Sequence, residues 1–372
     1  MNNNGESLLR TDLAIESIEI IKDDSVTSSV EEKNGIKVTT VVVSKDMEKL
    51  IEKKKGIYIT IEYDDVTDFH NRKNLGNVLT DELKKLFVKK KIKDNYECLI
   101  IGLGNVYSTA DALGPLTINN ILVTRHLFTL DFDVKEGMRC VSAISPGVMG
   151  QTGIETSEII QNLVNIVKPD FILVIDSLKA SSTSRVNKTI QITDTGIAPG
   201  SGVGNKRKEI SSSIFKIPVI AIGIPTVVDA STIVNDTINL LYKHISYIKH
   251  NESVNKLIYR HFNNYDKRLE KTNDLSKKEK ENLLGMVGSL DNEEKMELLK
   301  EVLEQTNYNL IVTPKEIDFL VEKISKLLAN SINRALHREI KEDSIFLWKL
   351  TKFKKMNKLY WNNIIFLIEY FM

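Results

Sequence analysis

Apolar runs with no polar break mark the middle of this chain. Cys98-Leu99-Ile100-Ile101 leads straight into Gly102-Leu103-Gly104, and Phe171-Ile172-Leu173-Val174-Ile175 ends on Asp176. A strand covered on both faces reads this way, because neither side-chain direction meets water. Cys140 to Ser145, Pro218 to Ile224 and Thr189 to Thr193 read as further strands. Upstream, alternation at Ile36, Val38, Thr40 and Val42, and the run Ile57-Tyr58-Ile59-Thr60-Ile61, predict two more. Lys53-Lys54-Lys55-Gly56 separates them as a solvated turn.

Helical spacing fills the gaps. Leu79 to Val88 is predicted as an amphipathic helix with Thr80 as its N-cap and lysines at its end. Ile118 to Leu130 is a helix-like apolar run. The glycine-rich loop Pro146 to Gly153 opens a helix through Ile159, Ile160, Leu163, Val164 and Val167, with Thr152 and Glu155 at capping-box spacing. Asp236 to His244 reads as a helix, and Asp291-x-x-Glu294 starts another. Thr313-Pro314-Lys315-Glu316 combines an N-cap, a proline at the first helical position and a capping-box glutamate ahead of Ile317, Val321, Ile324, Leu328 and Ile332. Strands alternating with helices give an α/β chain: a central mixed or mostly parallel sheet flanked by helices, with helical additions at the C-terminal end.

Composition narrows the function classes. The 372 residues suffice for one large or two ordinary domains, and 42% hydrophobic with 27% charged residues is ordinary for a soluble protein. A net charge of +1 supplies no field to draw in nucleic acid or a membrane, so neither is an expected partner. Cys98 and Cys140 both lie in apolar runs and read as buried thiols in a reducing, cytoplasmic compartment. The six histidines show no metal-ligand spacing, and no cofactor is expected. The polar start, Met1 to Ser7, lacks the apolar core of a secretory signal. Residues 249–290 form a charged insertion or small subdomain, 291–340 carry helices that pack on a core at 13–248, and 341–372 is an atypical Lys-, Phe- and Trp-rich tail.

The candidate chemistry sits at strand ends. Asp111 lies in the loop after the Cys98 strand, and Asp176 ends the Phe171 strand. In an open α/β sheet, reactive groups collect at the carboxyl ends of strands. If these two strands are parallel neighbours, the carboxylates meet at one edge. Such a pair can share a proton, one member acting as base on a water and the other as acid. Each aspartate could equally cap a helix or hold a loop amide. Asp194-Thr195-Gly196 matches the triplet of pepsin-like and retroviral aspartic proteases, but the second copy needed by the first and the all-β chain needed by the second are missing. Asp194 therefore reads as a turn residue, with a supporting role near the site as the other reading. Glu155 reads as a cap rather than a third acid, and Gly104 and Asn105 as supports for the Asp111 loop. Gly200 to Lys208 fits neither a dinucleotide fingerprint nor a P-loop; it reads as a loop whose basic tip favours acidic substrates.

Several long strings occur here in one order: Gly102-Leu103-Gly104-Asn105 with Asp111-Ala112-Leu113-Gly114-Pro115, Thr124-Arg125-His126-Leu127, Pro146-Gly147-Val148-Met149-Gly150, Arg185-Val186-Asn187, Pro199 to Glu209, and Ile222 to Ala230. From about Arg10 to about His337 the chain resembles the spore germination endopeptidases. The resemblance implies an endopeptidase that degrades small acid-soluble DNA-binding proteins of the spore, located in the spore core. It implies Asp111 and Asp176 as the essential aspartates, a homotetramer, and a zymogen that loses residues 1–12 by autoprocessing between Asp12 and Leu13. An exposed, loosely ordered terminus would suit that cut. A more distant resemblance is to hydrogenase-maturation endopeptidases, which share an α/β core. The alternatives are a metal-dependent peptidase of that maturation type and a non-catalytic nucleotide- or peptide-binding protein.

Overall fold

A computed structural model describes residues 12–21, 28–130, 134–198, 208–250, 272–305 and 310–340. Two strands that no apolar run marks, β1 (Ser28–Lys33) and the short β9 (Ile311–Val312), join those predicted: β2 (Ile36–Val43), β3 (Gly56–Glu62), β4 (Cys98–Gly102), β5 (Val141–Ile144), β6 (Phe171–Ala180), β7 (Thr189–Thr193) and β8 (Val219–Asp229). They make one mixed sheet in the order β1-β2-β3-β7-β8-β6-β4-β5, with β9 on β8. β5, β4, β6 and β8 run parallel. β7 and the β3-β2-β1 meander run antiparallel. The two strands that matter most, β4 and β6, are therefore parallel neighbours, with Gly102 opposite Ile175.

Alternate residues of β6 serve two cores. Phe171, Leu173 and Ile175 enter the larger one, which the helices Phe69–Lys89 and Ile317–Leu336 cover. Ile172 and Val174 face the other side, under the helix Thr156–Val167. Every position of β7 is buried, as a strand flanked on both edges and both faces must be. β1 ends the sheet with the exposed Ser28-Ser29-Val30-Glu31-Glu32, a polar edge that discourages pairing with another chain.

Several helix boundaries differ from the spacing argument. The Leu79–Val88 helix extends over Phe69–Lys89, and its N-cap is Asp68, whose carboxylate accepts the Asn71 N–H, not Thr80. Thr80 is buried in mid-helix, its hydroxyl bonded back to the Gly76 carbonyl, which also accepts from Ser331 Oγ. Small residues thus let this helix approach Ile317–Leu336 closely, and that contact overrides the poor helix propensity of Asn71, Asn74, Gly76 and Asn77. Ile118 to Leu130 is not one helix but the ends of two short ones, Leu113–Ile118 and Arg125–Thr129. The break is held by partners: Asn333 Oδ1 accepts the Leu122 N–H at 2.9 Å, and Thr124 Oγ1 donates to the Arg139 carbonyl. Before Ile317–Leu336, Thr313 does not cap; its hydroxyl donates to the Thr226 carbonyl, and the helix begins after Glu316. Within the charged stretch, Lys277–Leu284 is a helix opened by a Ser276–Glu279 capping box. Residues 251–271 of that stretch, and 341–372 of the tail, lie outside the described residues.

The end of the Ile317–Leu336 helix carries a testable titration. His337 is fully buried, and its Nδ1 accepts the Arg139 N–H at 3.1 Å. Burial, helped by the Arg139 charge and opposed by a backbone bond to Leu122, lowers its pKa to about 4. An unfolded histidine takes up its proton near pH 6.5, so the unfolded state gains on the folded one as pH falls from about 6.5 to about 4. We expect about 3 kcal/mol of stability to be lost across that window. Denaturant unfolding at both ends of the window should show a larger drop for the parent chain than for His337→Asn, which keeps an acceptor for Arg139 but cannot titrate.

Candidate active site

The loop after β4 is built to present one carboxylate. β4 continues past Gly102 through the Leu103 N–H, which donates to the Ile175 carbonyl of β6 at 2.8 Å. Gly104 then takes φ +113°, and a Cβ there would lie 2.0 Å from the Asp111 carbonyl oxygen. Only glycine fits both demands. The chain returns on itself, so that Asn105 donates its N–H to Asp111 Oδ2 at 2.8 Å. Asp111 closes a single 3-10 turn, Thr109–Asp111, and donates its own N–H to Ser108. Thr226 of β8 fastens that turn by donating to the Ala110 carbonyl at 2.6 Å. The turn packs against β6 and β8.

Asp176 lies one residue past Ile175, opposite Gly223 of β8. Alternation turns it away from the larger core, to the side of Val174 and Leu178, where it is 6% exposed. Its Oδ1 accepts the Ser177 N–H at 2.9 Å. The turn carrying Asp111 therefore meets the carboxyl end of the strand carrying Asp176. The glycine-rich segment is tied to the Asp111 loop through Gln151, whose Nε2 donates to Asn105 Oδ1 at 2.5 Å. That segment forms a short helix, Met149–Thr152, and Thr156–Val167 starts separately behind Glu155. The capping box of Thr152 and Glu155 is not formed: the Thr152 hydroxyl bonds within its own turn. Glu155 stands at the N-cap without capping, and its buried Oε1 has no hydrogen-bond partner among the described residues.

Asp194 is elsewhere. Thr193 pairs with Ala221, near the start of β8, so Asp194 sits at the opposite end of the strands from the Asp111 turn. It accepts the Ile57 N–H at 2.7 Å and pairs with Lys90 Nζ at 3.0 Å, tying β3 to the end of the Phe69–Lys89 helix. Removing it strands a backbone donor and a cation. Asp194→Ala is expected to lower unfolding free energy by about 1–3 kcal/mol in denaturant titration, while cleavage of an added protein substrate keeps its rate. Of the Gly200 to Lys208 loop, residues 200–207 lie outside the described residues, and Lys208 pairs with Glu158 at 3.5 Å.

The bond between Asp12 and Leu13 corrects an expectation. It is not on an exposed, loose arm. Leu13 and Ala14 are fully buried, and Ile15 and Glu16 nearly so. Leu13 and Ile15 pack with Leu178, Ala180, Val186 and Val228 over the β6–β8 face. The Lys179 N–H donates to Asp12 Oδ2 at 2.9 Å. Gln191 Nε2 donates to the Asp12 carbonyl at 3.1 Å, and Gln191 Oε1 accepts the Ala14 N–H at 2.6 Å. Glu16 accepts the Ser181 N–H at 2.9 Å and pairs with Arg185. Residues 1–11 lie outside the described residues. Beside Asp12 is a cavity of about 180 Å³, lined among others by Lys53, Tyr58, Leu178, Gln191, Thr193 and Gly223. Lys53 is thus not a solvated turn residue; burial lowers its pKa, and the charges of Asp12 and Glu16 oppose that shift. Leu178 lies two residues, ~7 Å along the strand, beyond Asp176 on the same face.

Sequence reasoning missed Gln191, Lys179 and Arg185. The signal was present: each is a long polar residue set in an otherwise apolar or tightly packed stretch. Lys179 is 7% exposed and pairs with Asp229 at 2.8 Å. Among the described residues, no three His, Cys, Asp or Glu side chains gather as a metal-binding group, and no helix is long and apolar enough to cross a membrane.

Comparison with known proteins places these features in company. Residues 11–349 match the family model described as germination protease. The chain is 46% identical over 351 residues to the germination protease of Bacillus velezensis, covering 91% of this chain and 95% of that protein. It is 43% identical over 351 residues to that of Bacillus subtilis, with the same coverage. Among solved structures, a [NiFe] hydrogenase maturation protease of Thermococcus kodakarensis aligns with 39% of this chain and 80% of its own, at 20% identity and a TM-score of 0.27.

Proposed function

Because the chain belongs to the germination protease family, we propose that it is the endopeptidase that begins degradation of small acid-soluble spore proteins at germination, made as a zymogen and activated by cutting its own Asp12–Leu13 bond. The observation that carries this reading is the abutment of the Asp111 turn on the strand of Asp176, at the carboxyl edge of the parallel strands. In the proposed reaction one carboxylate takes a proton from a water as its oxygen bonds to the scissile carbonyl carbon. The carbonyl oxygen gains negative charge. The carbon–nitrogen bond then breaks, and the other carboxyl group protonates the leaving nitrogen. One member must be ionised and the other protonated, so the pH–rate profile belongs to the pair.

The docked residues 12–16 support the autoprocessing part. The Asp12 carboxylate is met by the charge of Lys53 beside the cavity, and Glu16 pairs with Arg185, so the acidic side chains of the docked segment are each matched by a cation. Exposed Leu240, Leu241 and Met286 leave apolar surface for subunits of a homotetramer to cover. The test is incubation of the purified chain with a small acid-soluble spore protein, read by mass spectrometry. Discrete internal cleavage is expected; an intact substrate after the chain has lost residues 1–12 would contradict the substrate assignment.

A further inference from the structure

We infer that Gln191 is a catalytic residue of this protease: its side-chain amide polarises the carbonyl of the bond to be cut. The inference rests on the reading that Asp12–Leu13 is that bond. Gln191 is the middle residue of β7, paired with Thr60 of β3 on one side and with Gly223 of β8 on the other. Ile190 and Ile192 turn into the larger core, so Gln191 faces the other side of the sheet, where it is 6% exposed. Its amide spans the scissile bond. Oε1 takes the Ala14 N–H at 2.6 Å, and Nε2 gives to the Asp12 carbonyl at 3.1 Å. The partners fix which end of the amide is which, since an N–H can only give and a carbonyl can only accept.

A purely structural role explains half of this. Ala14 opens the helix Ala14–Ile21, and its free N–H needs an acceptor, which Oε1 provides. The bond to the Asp12 carbonyl is not needed for that. It is a donor already aimed at the oxygen on which charge develops when water adds to the carbon. A donor held in a buried strand, with no water to displace and no rearrangement to make, is the arrangement that stabilises such an oxyanion. The register adds the second element. Asp176, Gly223 and Gln191 lie in one row across β6, β8 and β7. The middle residue has no side chain, and Leu178 packs over it, where a Cβ would lie 2.4 Å from Leu178 Cδ1; the acid and the amide stand on either side of it, ~10 Å apart between their Cα atoms. The Asp12 carbonyl is thus met by the amide from the β7 side. An added protein substrate would be held the same way, with its scissile carbonyl on Nε2 and the N–H two residues later on Oε1.

The test compares the parent chain with Gln191→Glu and Gln191→Met, following loss of residues 1–12 by intact mass, with hydrogen exchange at the Ala14 amide as the second readout. Gln191→Glu keeps an acceptor for Ala14 and loses the donor. We expect its self-cleavage to slow by about 10²- to 10³-fold, with Ala14 still protected. The deficit relative to the parent should shrink toward acid pH, as the new carboxyl protonates and regains a donor. Gln191→Met should be equally slow at every pH. Cleavage within threefold of the parent in both variants overturns the inference and leaves the proposed function intact. So does slowing that appears only together with loss of Ala14 protection and is unrelieved by acid, because that is a docking defect. A parent chain that never loses residues 1–12 overturns both the inference and the reading on which it rests.

Discussion

Replacing either Asp111 or Asp176 with asparagine is expected to abolish cleavage of an added substrate, by at least about 10³-fold, without unfolding the protein. The size follows from the division of labour. An asparagine can neither take a proton from water nor give one to a leaving amine, and groups that act as a unit lose nearly everything when one is removed. The fold should survive because neither side chain is part of the apolar cores. Asp111 is held by the Asn105 N–H, and Asp176 by its neighbour Ser177. An asparagine oxygen can still accept both bonds. Initial rates on a small acid-soluble spore protein, with far-UV circular dichroism and thermal unfolding as controls, check this. Activity within tenfold of the parent for either variant would reduce that aspartate to a loop anchor.

The second large effect is expected from a residue with no reactive group. Gly104→Ala adds a single carbon, but at φ +113° and 2.0 Å from the Asp111 carbonyl oxygen and 2.9 Å from its Oδ1. The nearest clash is with backbone, so a side-chain rotation cannot relieve it. The loop must open, and Asp111 moves with it. Displacement of a reacting group by about 1 Å is enough to lower a rate by ~10²-fold, and the strained φ adds about 1–3 kcal/mol of instability. Gly150→Ala is the natural control: it lies in the neighbouring glycine-rich segment, and a Cβ there meets nothing within 4 Å. Rates for the two variants, beside their denaturant midpoints, should separate a slow Gly104 variant from a near-normal Gly150 one. Equal rates would show that the Asp111 loop tolerates rearrangement.

The strands were legible because burial on both faces leaves a plain mark. Ile100 and Val174 sit in runs with no polar neighbour, and both end at the residues that set up the site. Their pairing as parallel neighbours is what sets the turn of Asp111 against the strand of Asp176, a residue 65 positions further along the chain. Legibility failed where polar residues are satisfied by distant partners. β6 runs on through Lys179 because that side chain finds Asp229 and its N–H finds Asp12. Gln191 reads as one more residue of a strand because the backbone that it bonds, at Asp12 and Ala14, is 179 and 177 positions away. The Phe69–Lys89 helix starts ten residues before the predicted Leu79 because a close crossing over Gly76 and Ser331 outweighs local propensity. The caps expected at Thr80, Thr152 and Thr313 do not form, for one reason. A threonine hydroxyl has several backbone carbonyls within reach, and spacing alone does not say which one it takes.

The most direct measurement is the intact mass of the purified chain over time, for the parent and for Asp176→Asn side by side. The account expects the parent to lose residues 1–12 and present Leu13 as its new terminus, and the variant to stay whole. Loss of the same piece at the same rate from both, or a new terminus at any residue other than Leu13, would contradict it.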